Sequence, residues 1–371
     1  METRSFVARA ARWRRNPLID RIFALGRFAI LPSLQQAALI RRRFRFGVAL
    51  TSWLDRRRYQ RSSTGNHAAL RANLESVFLC CIPHPTTGFG HRFAEWNTGL
   101  IVSQKTGVPY INGGIGDGWD RATGIESAFE YVHLFISRHN PHKIRIPLIT
   151  FAKRDDAVDS IANLLLDLRP ARRPLLVFLA DGQNLYRQHD SVFDLRRIYR
   201  KSRPSTRVRR QPLTIAVHVR RGDVALMKAR RIGGWEERFV DLSWFERVLS
   251  SVIESLEDRE YTVAVFSQGR ADEFLSLKRL APISLFIDTD PVEAFHKMVA
   301  ADVLIASPSS FSFSAGLINP NIKIFRTPWW HAVPAADNWI SVEDIERQHE
   351  EVAAQIRASL ACIDGTLRSG L

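Results

Sequence analysis

The sequence predicts an α/β protein made of two doubly wound, Rossmann-type halves, and three observations predict it. Short apolar, β-branched runs alternate with helical runs through the second half, the pattern of parallel β-α units. A first set of strand-like runs precedes a basic, proline-containing linker at 201–210. With 371 residues and 45% apolar composition, the chain can bury the large core that two such halves need. The expected divisions are a basic amphipathic segment over 1–65, one Rossmann-like half over 66–205 and a second over 206–371. Two halves joined near residue 205 leave a cleft between them, and clefts of that kind hold nucleotides and their conjugates.

The N-terminal segment carries most of the net charge of +15. Residues 1–60 hold 14 arginines and no lysine against only Glu2, Asp20 and Asp55, a balance of +11. Apolar residues such as Phe6, Trp13, Ile22 and Phe23 are interrupted by charge well short of the ~20 residues that span a bilayer. No apolar stretch with a small-residue cleavage site follows, which argues against secretion. A basic amphipathic stretch suits an anionic membrane surface. A helical subdomain packed on the body and an organellar transit peptide fit the same composition. No nucleic acid is expected, because no aromatic-basic recognition motif follows and the rest of the chain is nearly balanced. Three cysteines, Cys80, Cys81 and Cys362, are too few and wrongly spaced for a disulfide framework or a zinc site. A reducing cytoplasm, with peripheral attachment to the membrane face through the basic segment, is the expected location.

The elements follow in order. Residues 77–82 form an apolar run that reads as a buried strand, leading into the turn 83–92 and a helical run over 93–105. A strand at 108–111, a glycine-rich loop at 112–119 and a helix at 125–138 come next. A strand at 146–151, a helix at 158–168, a strand at 175–179 and a helix at 190–200 complete the first half. In the second half, strand 214–219 precedes helix 243–256, and strand 262–266 precedes helix 271–280. Strand 284–287 precedes helix 291–300, strand 303–306 precedes helix 310–317, and strand 322–325 closes the series.

Three stretches carry chemistry. The first lies at the end of strand 214–219, where His218, Arg220, Arg221 and Asp223 gather and Gly222 lets the chain turn sharply. Ligands of open α/β sheets sit beyond the carboxyl ends of the strands. Arginine forks there bind phosphate oxygens bidentately, so the group reads as a diphosphate clamp. A surface arginine pair held by Asp223 is the structural alternative. The second stretch is 306–316, where Ser309 and Ser310 stand at a helix start. Helix N-termini present unpaired amides that can hold phosphate, although an ordinary serine cap has the same appearance. The third is Gly88-Phe89-Gly90-His91-Arg92, a glycine turn before a helix. It lacks both the full Gly-x-Gly-x-x-Gly pattern and a Walker lysine.

Together these stretches resemble the GDP-fucose-dependent fucosyltransferase superfamily that covers the α-1,2, α-1,6 and protein O-fucosylating enzymes. The His-x-Arg-Arg-x-Asp motif of that family is matched by His218, Arg220, Arg221 and Asp223. Its later Ser-Ser-Phe-Ser motif is matched by Ser309, Ser310, Phe311 and Ser312. The family's Gly-x-Gly-Asn-Arg loop is matched by Gly88, Gly90 and Arg92, with His91 in place of Asn. Glu293 stands where the family usually has a guanine-reading Asp, and Ser267-Gln268-Gly269 lacks the acids of the family's Ser-Asp-Asp turn. The resemblance spans roughly residues 77–326.

It implies a GT-B fold, with a GDP-sugar donor held by the second half and a glycan or glycoconjugate acceptor by the first. It also implies inverting transfer of fucose from GDP-fucose without a metal or other cofactor; a glycosyltransferase using another nucleotide sugar, or a non-catalytic membrane- or nucleic-acid-binding protein, is the alternative. Arg220 would stabilise the charge that grows on the β-phosphate. The implied donor-binding set is His218, Arg220, Arg221, Gly90, His91, Arg92, Glu293, Ser309, Ser310 and Phe311. Asp288-Thr289-Asp290 spells a metal-binding Asp-x-Asp, but its place beside a proline reads as a turn and helix cap. Asp223 is the base candidate nearest the clamp, and it could equally orient Arg220 or Arg221. Glu236, Glu237 and Asp241 are alternatives. His91 and the loop 113–118 could face the acceptor, and Trp329 and Trp330 could stack on a sugar or a base or belong to the core.

Overall fold

A computed structural model of the chain describes residues 76–116, 118–147, 161, 163–165, 174–180, 187–203, 212–230, 238–327, 329, 331–334 and 337–368. The basic segment over 1–65, the junction near 205, Glu236, Glu237 and Trp330 lie outside them. Residues 73–371 form one unit by their contacts.

Most of the apolar runs become strands, although the strand expected over 146–151 lies at His142–Pro147 instead, with 148–151 outside the described residues; among the described residues every strand pair is parallel. Val77–Cys81 (β1) lies between Tyr110–Asn112 (β2) and Leu175–Ala180 (β4), with His142–Pro147 (β3) at the far edge, so the first sheet runs β2-β1-β4-β3. The second sheet contains Leu213–Val219 (β5), Tyr261–Ser267 (β6), Ile283–Ile287 (β7), Val303–Ala306 (β8), Ile322–Arg326 (β9) and Trp339–Val342 (β10). Its order is β10-β9-β8-β5-β6-β7. Counted within this half the order is 3-2-1-4-5-6, the Rossmann arrangement, and the winding reverses between β5 and β8. Val217 pairs with Ile305 and His218 with Ala306, so the two strands end together at that reversal.

The helices that matter for the site are Phe89–Thr106 (α1), Trp119–Thr123 (α2), Val132–His139 (α3), Val192–Ser202 (α4), Asp223–Ala229 (α5), Leu242–Ser255 (α6), Leu275–Lys278 (α7), Pro291–Ala300 (α8), Ser310–Ile318 (α9) and Ile345–Arg368 (α10). None of the helices among the described residues is long and apolar enough to cross a membrane. One core cluster joins α1, α8 and α9 to faces of both sheets, and a second fills the opposite face of the second sheet under α6 and α10. At the centre of the first lie four rings from four helices. Phe89 stacks on Trp119 at 3.7 Å, and both meet Phe295 and Phe311 edge-on at 5.2–6.1 Å.

Several sequence expectations are corrected. The first helix begins at Phe89, not 93, taking the glycine stretch into its first turn. The expected helix over 125–138 is broken. Gly124, at φ +82°, ends α2, a 3-10 turn covers Ile125–Ser127, and α3 starts only at Val132. The run 271–280 likewise splits into a 3-10 turn and the short α7. The helix α5 follows the arginine pair after Gly222, where the sequence placed no helix before 243. The series does not close at 325, because β10 and the long α10 follow.

Candidate functional site

The site forms where β5 and β8 end. Gly222, at φ +62° and ψ −116°, makes the turn, and a side chain there would meet Gln268 at 2.3 Å. This turn sends Arg220 toward the start of α9. The Ser307 hydroxyl accepts from the Arg220 amide (2.8 Å) and donates to the His218 carbonyl (2.6 Å), tying the two strand ends together. Arg220 Nη1 donates to Ser309 Oγ at 2.9 Å, and its Nη2 donates to both Asp223 oxygens at 2.9 and 3.1 Å. Its buried Nε has no hydrogen-bond partner among the described residues. Ser309 also caps α9 by accepting from the Phe311 amide at 3.3 Å.

A second helix start meets this one. A Cβ on Gly90 would lie 2.3–2.6 Å from the Ser310 carbonyl group and the Phe311 nitrogen, so α1 and α9 begin in backbone contact. Neither helix has an acidic residue in its first turn. The positive ends of two helices therefore adjoin a guanidinium, with Asp223 as the nearby counter-charge. Such a place favours an anion.

His91 joins the cluster from the first turn of α1. Burial lowers its pKa, Arg238 and Arg220 lower it further, and Asp223 opposes them. His218 is buried, its Nδ1 without a hydrogen-bond partner among the described residues, and burial, with Arg220 adding, pushes it down to about 3. His331 is bonded to Ser310 Oγ at 3.2 Å and stacked on Phe313 at 4.0 Å. Burial, with His91 adding, pushes it down to about 3 as well. Both buried imidazoles are thus neutral at pH 7.

Accessibility divides the sequence candidates. Arg220 (21% exposed side chain), Asp223 (50%) and the half-buried His91 reach the surface. His218, Ser309 and Ser310 are buried beneath them, and Ser309, fully buried, acts on Arg220. Phe311 belongs to the ring cluster and touches His218 at 5.6 Å.

Arg221 turns the other way. Its guanidinium donates to the Val240 and Arg220 carbonyls at 3.1 Å and lies 4.3 Å over the Phe239 ring, which fixes the approach to α6. Arg92 is buried and donates to the Ile115 carbonyl at 2.9 Å, supporting the glycine loop. Glu293 is exposed and paired with Lys297 at 3.5 Å, without a hydrogen bond or ion pair to the cluster among the described residues.

Asp290 caps α8 through the Val292 amide at 2.9 Å, and Asp288 receives the Gly269 amide at 3.3 Å, the turn and cap that their neighbourhood suggested. Asp241 is exposed and paired with Lys228. Trp329 packs among Phe313, Phe325 and Trp339 in the core.

Sequence reasoning missed Arg238 and His331, and it read Ser307 only as one of a run of serines. The bridge Ser307 makes between the two strand ends has no local sequence signal, since it joins residues 87–89 apart. His331 carried no signal, since its partners lie 18–21 residues earlier in the chain.

No family model matches this sequence, and no curated protein matches it. Solved structures with a similar course of the chain include POFUT1 in complex with GDP-fucose, at 11% identity and TM-score 0.43, covering 72% of this chain and 98% of that one. The heptosyltransferase WaaC of E. coli with ADP has 11% identity and TM-score 0.37, covering 76% and 99%. A mutant FUT1 of Arabidopsis thaliana in complex with GDP has 10% identity and TM-score 0.35, covering 71% and 74%.

Proposed function

We propose that the chain is a glycosyltransferase that moves fucose from GDP-fucose to a hydroxyl of a glycan or glycoconjugate, inverting the anomeric centre without a metal. One observation carries the reading: the starts of α1 and α9 and the Arg220 guanidinium converge at the winding reversal of a Rossmann sheet. A diphosphate is the ligand whose charge and size suit that place. As the sugar–phosphate bond breaks, charge grows on the β-phosphate. A guanidinium already oriented by Ser309 and Asp223 stabilises it where other enzymes use a divalent cation. In this reading Asp223 orients Arg220, His218 and Ser310 line the floor, and Arg221 and Arg92 hold the loops. Guanine selection falls to Glu293 on the resemblance to fucosyltransferases. The basic segment over 1–65 would attach the enzyme to an anionic membrane surface.

Calorimetry with GDP, UDP and ADP in the absence of divalent cations tests the reading. GDP should bind most tightly, and Glu293→Ala should weaken GDP more than UDP. Equal affinities would point to another nucleotide sugar on the same clamp. An absolute requirement for Mg²⁺, or no binding of any of the three, would refute it.

A further inference from the structure

We propose that His91 is the general base of this site, taking the proton from the attacking hydroxyl, an inference that rests on the donor reading above. Of the three clamp groups that reach the surface among the described residues, Arg220 cannot accept a proton. Asp223 has both oxygens on Arg220, and Oδ1 also receives the Val224 amide at 2.9 Å. His91 remains. Its ring is used by no hydrogen bond among the described residues, while its backbone amide donates to the Gly88 carbonyl at 3.1 Å and holds it in the first turn of α1. Gly90, the preceding residue, lies so close to the Ser310 backbone that a Cβ there would not fit, which holds the first turn of α1, and His91 in it, against the start of α9.

The groups that face His91 are Arg238, Arg220, Asp223 and His331. Burial and the two guanidiniums outweigh the carboxylate, so the imidazole is neutral at pH 7 and able to accept. His331 and His218, pushed down to about 3, stay neutral throughout the working range.

The step balances as follows. The acceptor O–H bond breaks and its proton goes to the imidazole lone pair. The oxygen's electron pair forms the bond to the anomeric carbon. The bond from that carbon to the phosphate oxygen breaks, and its pair stays on the β-phosphate beside Arg220. The imidazolium then passes its proton to water. Charge gained by the phosphate offsets the guanidinium next to His91, so the base strengthens as the leaving group departs.

The test uses the full chain, GDP-fucose with water as acceptor, and His91→Gln with His91→Asn as its replacement should the first not fold. The expected wild-type profile has one acid limb, placed at higher pH in kcat, which reports the donor complex, than in kcat/KM. In the variant, turnover should fall ~10²–10⁴-fold, by far more than any loss of GDP affinity, and the acid limb should disappear. Unchanged turnover, a retained acid limb, or loss of folding in both variants would overturn the inference. GDP binding by the wild-type chain without donor cleavage at any pH would overturn it and leave the donor reading standing. Failure of the wild-type chain to bind GDP would remove both.

Discussion

Replacing Gly90 with alanine should drive apart the two helices on which the site is built. The added carbon would lie 2.3 Å from the Ser310 carbonyl carbon, 2.5 Å from the Phe311 nitrogen and 2.6 Å from the Ser310 oxygen. Real Cβ contacts essentially never fall below 3.0 Å, so the helix starts must part by at least 0.7 Å, from 2.3 to 3.0 Å. All three neighbours are backbone, so no rotamer change relieves the clash. The packing of Phe89 on Trp119, Phe295 and Phe311 lies directly behind and must loosen with it.

Overpacking of this kind costs about 1–3 kcal/mol. The better helix propensity of alanine offsets at most ~1 kcal/mol, which sets the low end of the expected loss. Urea denaturation is the assay, read as a lower midpoint at unchanged m. Gly88→Ser is the control. That position has extended backbone, φ −67° and ψ 162°, and nothing within 4 Å, so a serine cap there should be neutral or stabilising by a few tenths of a kcal/mol. A Gly90→Ala midpoint equal to or above wild type would refute the reasoning.

Three further outcomes are expected. Arg220→Lys keeps the charge but loses the planar fork, so turnover of GDP-fucose should fall ~10²–10³-fold, equivalent to about 2.7–4 kcal/mol, with donor affinity less affected; near-normal turnover would sink the clamp. Lys323 is pushed down to about 7 by burial, with Asp337 opposing, so above that pH the unfolded chain holds a proton the folded chain has released. Stability should therefore rise from pH 7 to 9 by up to about 1.4 kcal/mol per unit, and Lys323→Met should lack that rise in denaturant titrations at each pH. Removing residues 1–60 should abolish salt-sensitive binding to anionic vesicles and leave GDP affinity intact, and vesicle binding by the shortened chain would refute the attachment role.

The central strands β1, β5, β8 and β9 were legible because each is a short, largely buried apolar run, whereas the edge strands β3 and β10, with polar or exposed positions, were misplaced or missed. Pro291–Ala300 and Val303–Ala306 fall where their residues place them, with Asp290 and Pro291 marking a helix start. The glycines at 88 and 90 misled the reading of α1. Gly90 suggested a loop, yet its reason is the close approach of another helix, which no local pattern encodes. The gathering of His218, Arg220, Ser309 and Asp223 followed from strand ends and motif spacing. The outward turn of Arg221 onto Phe239 and Val240 did not, because it depends on a contact 19 residues away in sequence. Strand order, and with it the reversal between β5 and β8, is set by pairings that span nearly 90 residues.

The helix α9 is gripped by the first half at both of its ends. Gly90 abuts its start, and at its finish Arg196 of α4 reaches the Leu317, Ile318 and Asn319 carbonyls at 3.1, 3.3 and 2.7 Å while pairing with Asp337 at 2.7 Å. A rod pinned at two points about 9 residues apart resists swivelling, because opening a gap at one pin strains the other. Motion of the first half against α9, of the kind usually associated with clefts of this architecture, is therefore resisted at both ends of the helix. Amides of α1 and α9 should accordingly exchange with solvent as one cooperative unit, and hydrogen exchange that releases one helix long before the other would show that the brace does not hold.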